Sequence, residues 1–267
     1  DIYFAGVLDW GVEGIALGTI IAEWSTVIFA VWLIMRELNS RRELGSEFWP
    51  RSRLLDGAAL KKMLAANRDI MIRTLLLVFS FGFFINQSAQ FGDVVLAANH
   101  ILLQLISFAA FFLDGYAFVV ESLVGSSLGA KRRDSFDIAV KRSSILALVT
   151  AAVLALLLLL FGSSAVVVLT DIEPVQAAAQ GSLFLAAIYI FFSFAAFQLD
   201  GIFIGASFTR QMRNAAILSI AVFLLAWWML MDRFGVNGLW WAMIIYVAAR
   251  ADALLLFYPA LRKSIDA

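Results

Sequence analysis

The chain has no cysteine, one histidine and three prolines in 267 residues. Without cysteine there is no disulfide, no thiolate nucleophile and no sulfur-bearing metal cluster, and the redox state of the compartment leaves no mark. A single histidine cannot assemble a zinc site, and no Gly-x-Ser-x-Gly elbow accompanies it. The Gly-x-x-x-x-Gly-Lys-Ser/Thr loop that cradles ATP phosphates is also missing. The expectation is therefore a protein that is not an enzyme, with no metal and no cofactor. Charge is sparse as well. Only 15% of residues are charged and the formal net charge is zero, which excludes a basic nucleic-acid binder. Alternating strand patterns are absent, so only helices are expected to satisfy the backbone in lipid.

What fills the chain is hydrocarbon. Hydrophobic residues make up 63% of it, against about 45–50% in soluble domains, and the mean hydropathy is +0.90. The fold class expected is an all-α polytopic membrane protein with seven spans, near 11–35, 69–91, 95–124, 143–168, 177–206, 214–232 and 236–259. All but two of the 20 lysines and arginines fall in loops or span ends on one side; Arg233 lies on the other and Arg250 within the last span. The positive-inside rule then makes that side, with the C-terminus, cytoplasmic, in a multi-pass plasma (inner) membrane protein. Between Arg41 and Asn67 lies the single long loop, where Leu54, Leu55, Ala58, Leu60, Met63 and Leu64 suggest a short amphipathic helix at the interface, or else a solvated linker.

The third span carries a polar stripe. His100, Ser107, Asp114 and Glu121 recur every seven residues, a period that drifts only about 20° per step round a helix. Gln104 lies close to the same line, and Asp114 and Glu121 sit about 10 Å apart along the axis. Ionisable groups facing lipid cost several kcal/mol, so this face is expected to look onto other helices or a wet cavity. Asp114, Glu121 and Glu23 (near the centre of span one) are the proton-coupling candidates. Asn86, Gln87, Asn99, His100, Gln104, Ser107 and Asp114 are the substrate-cavity candidates. For His100, Gln104 and Ser107, plain interhelical hydrogen bonding is an equal reading. Two ion-pair expectations oppose a functional role. Equal depth allows an Asp114–Arg250 pair, and Asp200 is expected to cap its helix or pair with Arg210 or Arg213. Gly201 and Gly205, like Gly14 and Gly18, are spaced for close helix contact.

An internal repeat sets the domain organisation. Gly11-Val-Glu-Gly14 opens span one and Gly235-Val-Asn-Gly238 opens span seven in the same orientation, as a parallel six-helix repeat requires. The expected division is 1–36 as the last helix of a truncated N-lobe, 37–68 as an interlobe loop and 69–267 as a six-helix C-lobe. Five preceding helices would then be missing from the N-terminal side.

At this point the residues resemble a family. Asn99-His-Ile-Leu-Leu-Gln104, Leu113-Asp-Gly115, Glu121-Ser-Leu-Val-Gly125 and Leu128-Gly-Ala130 are similar to the MATE (multidrug and toxic compound extrusion) transporters. Leu199-Asp-Gly-Ile-Phe-Ile-Gly-Ala206, Met212-Arg-Asn-Ala215 and Leu17-Gly-Thr-Ile-Ile-Ala-Glu-Trp24 resemble their DinF branch. The resemblance implies the C-terminal part of a twelve-helix exporter of organic, often cationic or amphipathic compounds. Inward proton flow, or sodium flow, would drive it by alternating access of two lobes. Small organic substrates, membrane lipids and the missing N-terminal lobe are the implied partners. Two positions depart from the family pattern, with Asn99 where Ala is common and Phe208 where a basic residue is common. The rival of the same superfamily is a lipid-linked oligosaccharide flippase, which a broad basic cavity would favour. A seven-helix receptor is a weaker rival, since span seven has no lysine for retinal. An intramembrane hydrolase lacks its nucleophile-base pair or matched aspartates.

Overall fold

The computed structural model describes residues 3–4, 10–40 and 56–265. Leu54 and Leu55 of the expected amphipathic helix, and Arg41, Arg42, Arg51 and Arg53 of the long loop, lie outside the described residues. All seven expected spans are helices: α1 Gly11–Ser40, α2 Gly57–Ala89, α3 Asp93–Gly129, α4 Arg133–Leu169, α5 Glu173–Gly205, α6 Thr209–Phe234 and α7 Val236–Lys263. Each is long and apolar enough to cross a membrane. The chain divides into two compact units, residues 1–60 and 61–267.

In the first unit, α1 presents apolar side chains almost all round, and Gly14 alone among its residues is buried. Gly14 meets the backbone of Phe4, which a Cβ would approach to 2.8 Å. Helix α2 starts earlier than hydropathy suggests. Residues 57–68, expected in the loop, form the opening turns of α2, so Ala58, Leu60, Met63 and Leu64 belong to one continuous helix and not to a separate short one. The reason is local. Asp56 Oδ1 accepts the Ala58 amide at 2.9 Å, an N-cap that hydropathy does not register.

Helices α2 to α7 alternate in direction through tight turns, so the start of α2, the α3–α4 and α5–α6 turns and the end of α7 share one end of the bundle. This basic end holds Lys61, Lys62, Arg68, Lys131, Arg132, Arg133, Arg210, Arg213, Arg262 and Lys263. Ion pairs between helices staple it. Arg213 Nη1 reaches Asp69 Oδ1 at 2.7 Å, joining α6 to α2. Arg262 forks onto Asp137 at 3.0 and 2.5 Å, joining α7 to α4.

Helices α5 and α7 form the centre. In each, 61% of the apolar window is buried, against 17% in α2. Small residues let neighbours close on α5, because lipid supplies no hydrophobic drive between helices and packing must do it. Helix α4 turns Ala139, Ser143, Ala147, Ala151 and Ala155 inward at every fourth position. Gly201 and Gly205 of α5 lie directly against the carbonyls of Ala117 and Glu121 in α3, where a Cβ would overlap backbone. Aromatic rings fill the opposite seam: Phe83 of α2 meets Phe223 and Trp227 of α6 at 5.7 and 5.0 Å.

The Gly-Val-x-Gly motif does the same work in both places. Gly11 and Gly235 take φ of +52° and +55° at the start of α1 and α7, a region other residues enter at a cost. Gly14 and Gly238, three residues on, each lie against neighbouring backbone, at Phe4 and Leu230.

Candidate functional site: a charged cavity in the helix bundle

Helix α5 is buried on nearly every side, so a carboxylate there must find cations or neutralise. Asp200 finds two. Arg73 Nη2 from α2 and Arg250 Nη2 from α7 both donate to the same oxygen, Asp200 Oδ2. All three side chains are largely withdrawn from solvent, with 16%, 10% and 9% exposure for Arg73, Arg250 and Asp200. Two guanidinium groups on one carboxylate leave a surplus positive charge, and in a buried setting that surplus acts strongly on its neighbours.

The neighbours are acidic. A cavity of about 350 Å³ opens beside the triad, walled by Asp114 and Glu121 of α3 with Phe81, Phe118, Tyr189 and Phe197. Asp114 and Glu121 are half-buried. Neither makes a hydrogen bond or ion pair among the described residues. The cavity thus collects two arginines and three acids, of which one acid is locked and two are open. Aromatic walls around a few charged groups are the usual make-up of a small-molecule site.

The α3 stripe holds together. His100, Gln104 and Ser107 are exposed on the face that carries Asp114 and Glu121 into the cavity, and Asn86 is exposed on α2. Four expectations change. Asp114 does not pair with Arg250, because Asp200 of the adjoining α5 takes that guanidinium. Asp200 pairs with neither Arg210 nor Arg213, which lie beyond the turn that ends α5. Arg213 instead reaches Asp69, and Arg210 is exposed without an ion pair among the described residues.

Asn99 is the third change. Expected on the cavity wall, it is 1% exposed and hydrogen-bonded through both amide atoms, at the end of the bundle opposite the basic one. Its Nδ2 donates to Ser88 Oγ at 2.8 Å, and its Oδ1 accepts Trp240 Nε1 at 3.0 Å. It thereby ties α2, α3 and α7 together. Gln87 is the fourth: it is 6% exposed, turned into the bundle, and its Oε1 has no partner among the described residues. Glu23 is exposed on α1, in the other unit.

Sequence reasoning passed over Arg73, which it counted with the basic residues of the cytoplasmic side although just inside span two, and over Tyr189 and the three phenylalanines. The signal for Arg73 was present, since an arginine inside an apolar helix demands a partner.

Comparison with known proteins gives this architecture its family. The MatE family model matches residues 70–229. DNA damage-inducible protein F of Escherichia coli (strain K12) is 31% identical over 258 residues, 95% of this chain and 54% of that protein. The probable multidrug resistance protein NorM of Photorhabdus laumondii is 28% identical over 179 residues, 64% of this chain and 39% of that protein. Among solved structures, the Vibrio cholerae MATE transporter VcmN in the bent form superposes with a TM-score of 0.81 at 19% identity, over 100% of this chain and 59% of VcmN. An outward-facing multidrug resistance MATE transporter of the MOP superfamily gives 0.84 at 15% identity, over 99% of this chain and 59% of its own. The chain spans about half the length of its relative from Escherichia coli. It belongs to the MatE family of membrane transporters, as a homologue of DinF.

Proposed function

We propose that the chain works as the C-terminal portion of a two-lobed secondary exporter of organic, often cationic or amphipathic compounds, driven by inward movement of protons, with sodium as the other candidate ion. In this reading residues 69–267 are one lobe, a preceding lobe supplies the rest of the substrate path, and the basic end with the C-terminus faces the cytoplasm of a plasma (inner) membrane protein. One observation carries the proposal: Asp114 and Glu121 face an aromatic cavity without partners among the described residues, while the adjoining Asp200 is held by two arginines. A carboxyl group in such a place changes the charge of the cavity by one whenever it gains or loses a proton. That change biases whichever lobe arrangement shields the cavity less or more, which is all that coupling requires. Phe81, Phe118 and Phe197 offer apolar and ring surface that suits amphipathic cations without fixing one shape. His100, Gln104, Ser107 and Asn86 extend a polar track along the same face, and Glu23 is a second coupling candidate.

The test is drug-stimulated proton flux in proteoliposomes, using the full-length transporter with wild-type or Asp114→Asn sequence. Flux in the wild type that disappears in the variant supports antiport with coupling in this lobe. Unchanged rate and pH dependence in the variant removes Asp114 from the scheme. Absence of flux with any cationic or amphipathic compound, under proton or sodium gradients, favours a lipid-linked oligosaccharide flippase.

A further inference from the structure

On the side of α3 opposite Asp114 and Glu121, a second concavity opens outward between α3 and α4. Its volume is about 450 Å³, larger than that of the charged cavity, and the bundle leaves it unfilled. Val119 and Leu123 of α3 and Ile138 and Leu146 of α4 line it, all four exposed. The medium against such a face is lipid, so the occupant must be apolar along most of its length. The lining is not apolar throughout. Arg142 also lines the groove, is exposed, and makes no hydrogen bond or ion pair among the described residues. It stands just before the long apolar run of α4, at headgroup depth, where a guanidinium reaches toward the polar zone.

The surroundings reinforce the charge. Between Lys131 and Arg142 the sequence carries five basic and two acidic residues. Asp137, one of the two acids, is taken by Arg262 of α7. A mostly apolar trough with an unneutralised arginine among its lining residues matches a molecule with a hydrocarbon tail and a negative head. We propose that the groove between α3 and α4 binds an anionic glycerophospholipid, its phosphate on Arg142 and beside Leu123 and Ile138, and an acyl chain running inward past Val119 and Leu146. A planar guanidinium takes two phosphate oxygens at once. The site lies on the far face of α3 from the charged cavity, so it is a lipid site separate from the transport path. It ties the leaflet at the basic end to the helix that carries Asp114 and Glu121.

Native mass spectrometry of the purified protein, titrated with phosphatidylglycerol or phosphatidylcholine of identical acyl chains, tests this. The wild type should hold one phosphatidylglycerol in preference to phosphatidylcholine. Arg142→Gln should weaken phosphatidylglycerol about fivefold, the equivalent of roughly 1 kcal/mol for one basic residue at the membrane surface, and leave phosphatidylcholine unchanged. Leu123→Trp, which fills the trough, should weaken both. Lys141→Gln neutralises an adjacent exposed charge outside the groove and should lower phosphatidylglycerol less than Arg142→Gln. Equal binding of the two lipids by the wild type, equal loss in the two charge variants, or full binding by Leu123→Trp would each overturn the proposal. Melting temperatures without added lipid check that every variant is folded.

Discussion

Two polar clusters sit inside the same bundle and are built on opposite principles. At the end away from the basic loops, Asn99, Ser88 and Trp240 use each other up: Trp240 donates to Asn99, Asn99 to Ser88, and Ser88 to the Phe84 carbonyl at 2.8 Å. All are neutral and buried. In the charged cavity, Asp200 is overcommitted to two arginines while Asp114 and Glu121 face open space. The first cluster is held by neutral hydrogen bonds and leaves no charge unspent. The second keeps unspent charge beside spent charge, which is wasteful for stability and suits the coupling role proposed for it. Polarity inside a membrane protein is therefore not itself a sign of function; the bonds left unmade are.

Stability measurements on variants can break or sharpen this contrast. Asp200→Leu should have the largest effect, a loss of about 3–5 kcal/mol, because two buried guanidinium groups would face each other without an anion. Adding Arg250→Met should recover part of that loss in detergent unfolding; no recovery would mean that Asp200 acts through packing and not charge. Next comes Gly201→Ala, expected to cost about 1–3 kcal/mol because the new methyl meets a backbone carbonyl that has no rotamer to escape into. Asn99→Leu should cost less, about 1–2 kcal/mol, chiefly by orphaning the Trp240 indole N–H. Its transport pH profile should match that of the wild type, and a shifted profile would erase the distinction between the clusters. Asp114→Asn should be smallest of all, within about 0.5 kcal/mol, yet abolish coupled proton flux. A large destabilisation there would show that Asp114 carries a structural bond.

The sequence made some of this visible and hid the rest for identifiable reasons. Hydropathy located seven spans because lipid imposes one simple requirement on every exposed side chain. The seven-residue recurrence placed His100, Ser107, Asp114 and Glu121 on one face, since that face follows from helix geometry alone. Asn99 was misplaced by one position: a step of one residue turns the side chain about 100°, and Asn99 is in line with Leu102, Ile106 and Leu113 on the buried face. The arginine pairs were not legible. Asp200 and Arg73 are 127 positions apart, and Asp200 and Arg250 are 50 apart. Periodicity states which way a residue points but not which helix lies opposite. Nearness in sequence and equal depth suggested Arg213 and Asp114 as partners, and neither heuristic knows that α7 packs on α5 or that Arg73 of α2 reaches across to it.

The glycine contacts between α3 and α5 decide which parts of the charged cavity can travel. Backbone against backbone at Gly201 and Gly205 leaves no slack, so Asp114, Glu121 and Asp200 ride on one rigid plate. The two arginines ride on α2 and α7, which the Asn99 cluster fastens near Ser88 and Trp240. From those fastenings Arg73 is about 22 Å and Arg250 about 15 Å along the helix axes. Toward the basic end each helix is tied again, α2 through Asp69 to Arg213 and α7 through Arg262 to Asp137. Each arginine therefore sits on a stretch held at both ends, and what can swing against the plate is the long guanidinium side chain rather than the helix. In this bundle the acids form the dial, and the cations are the hands that sweep across it.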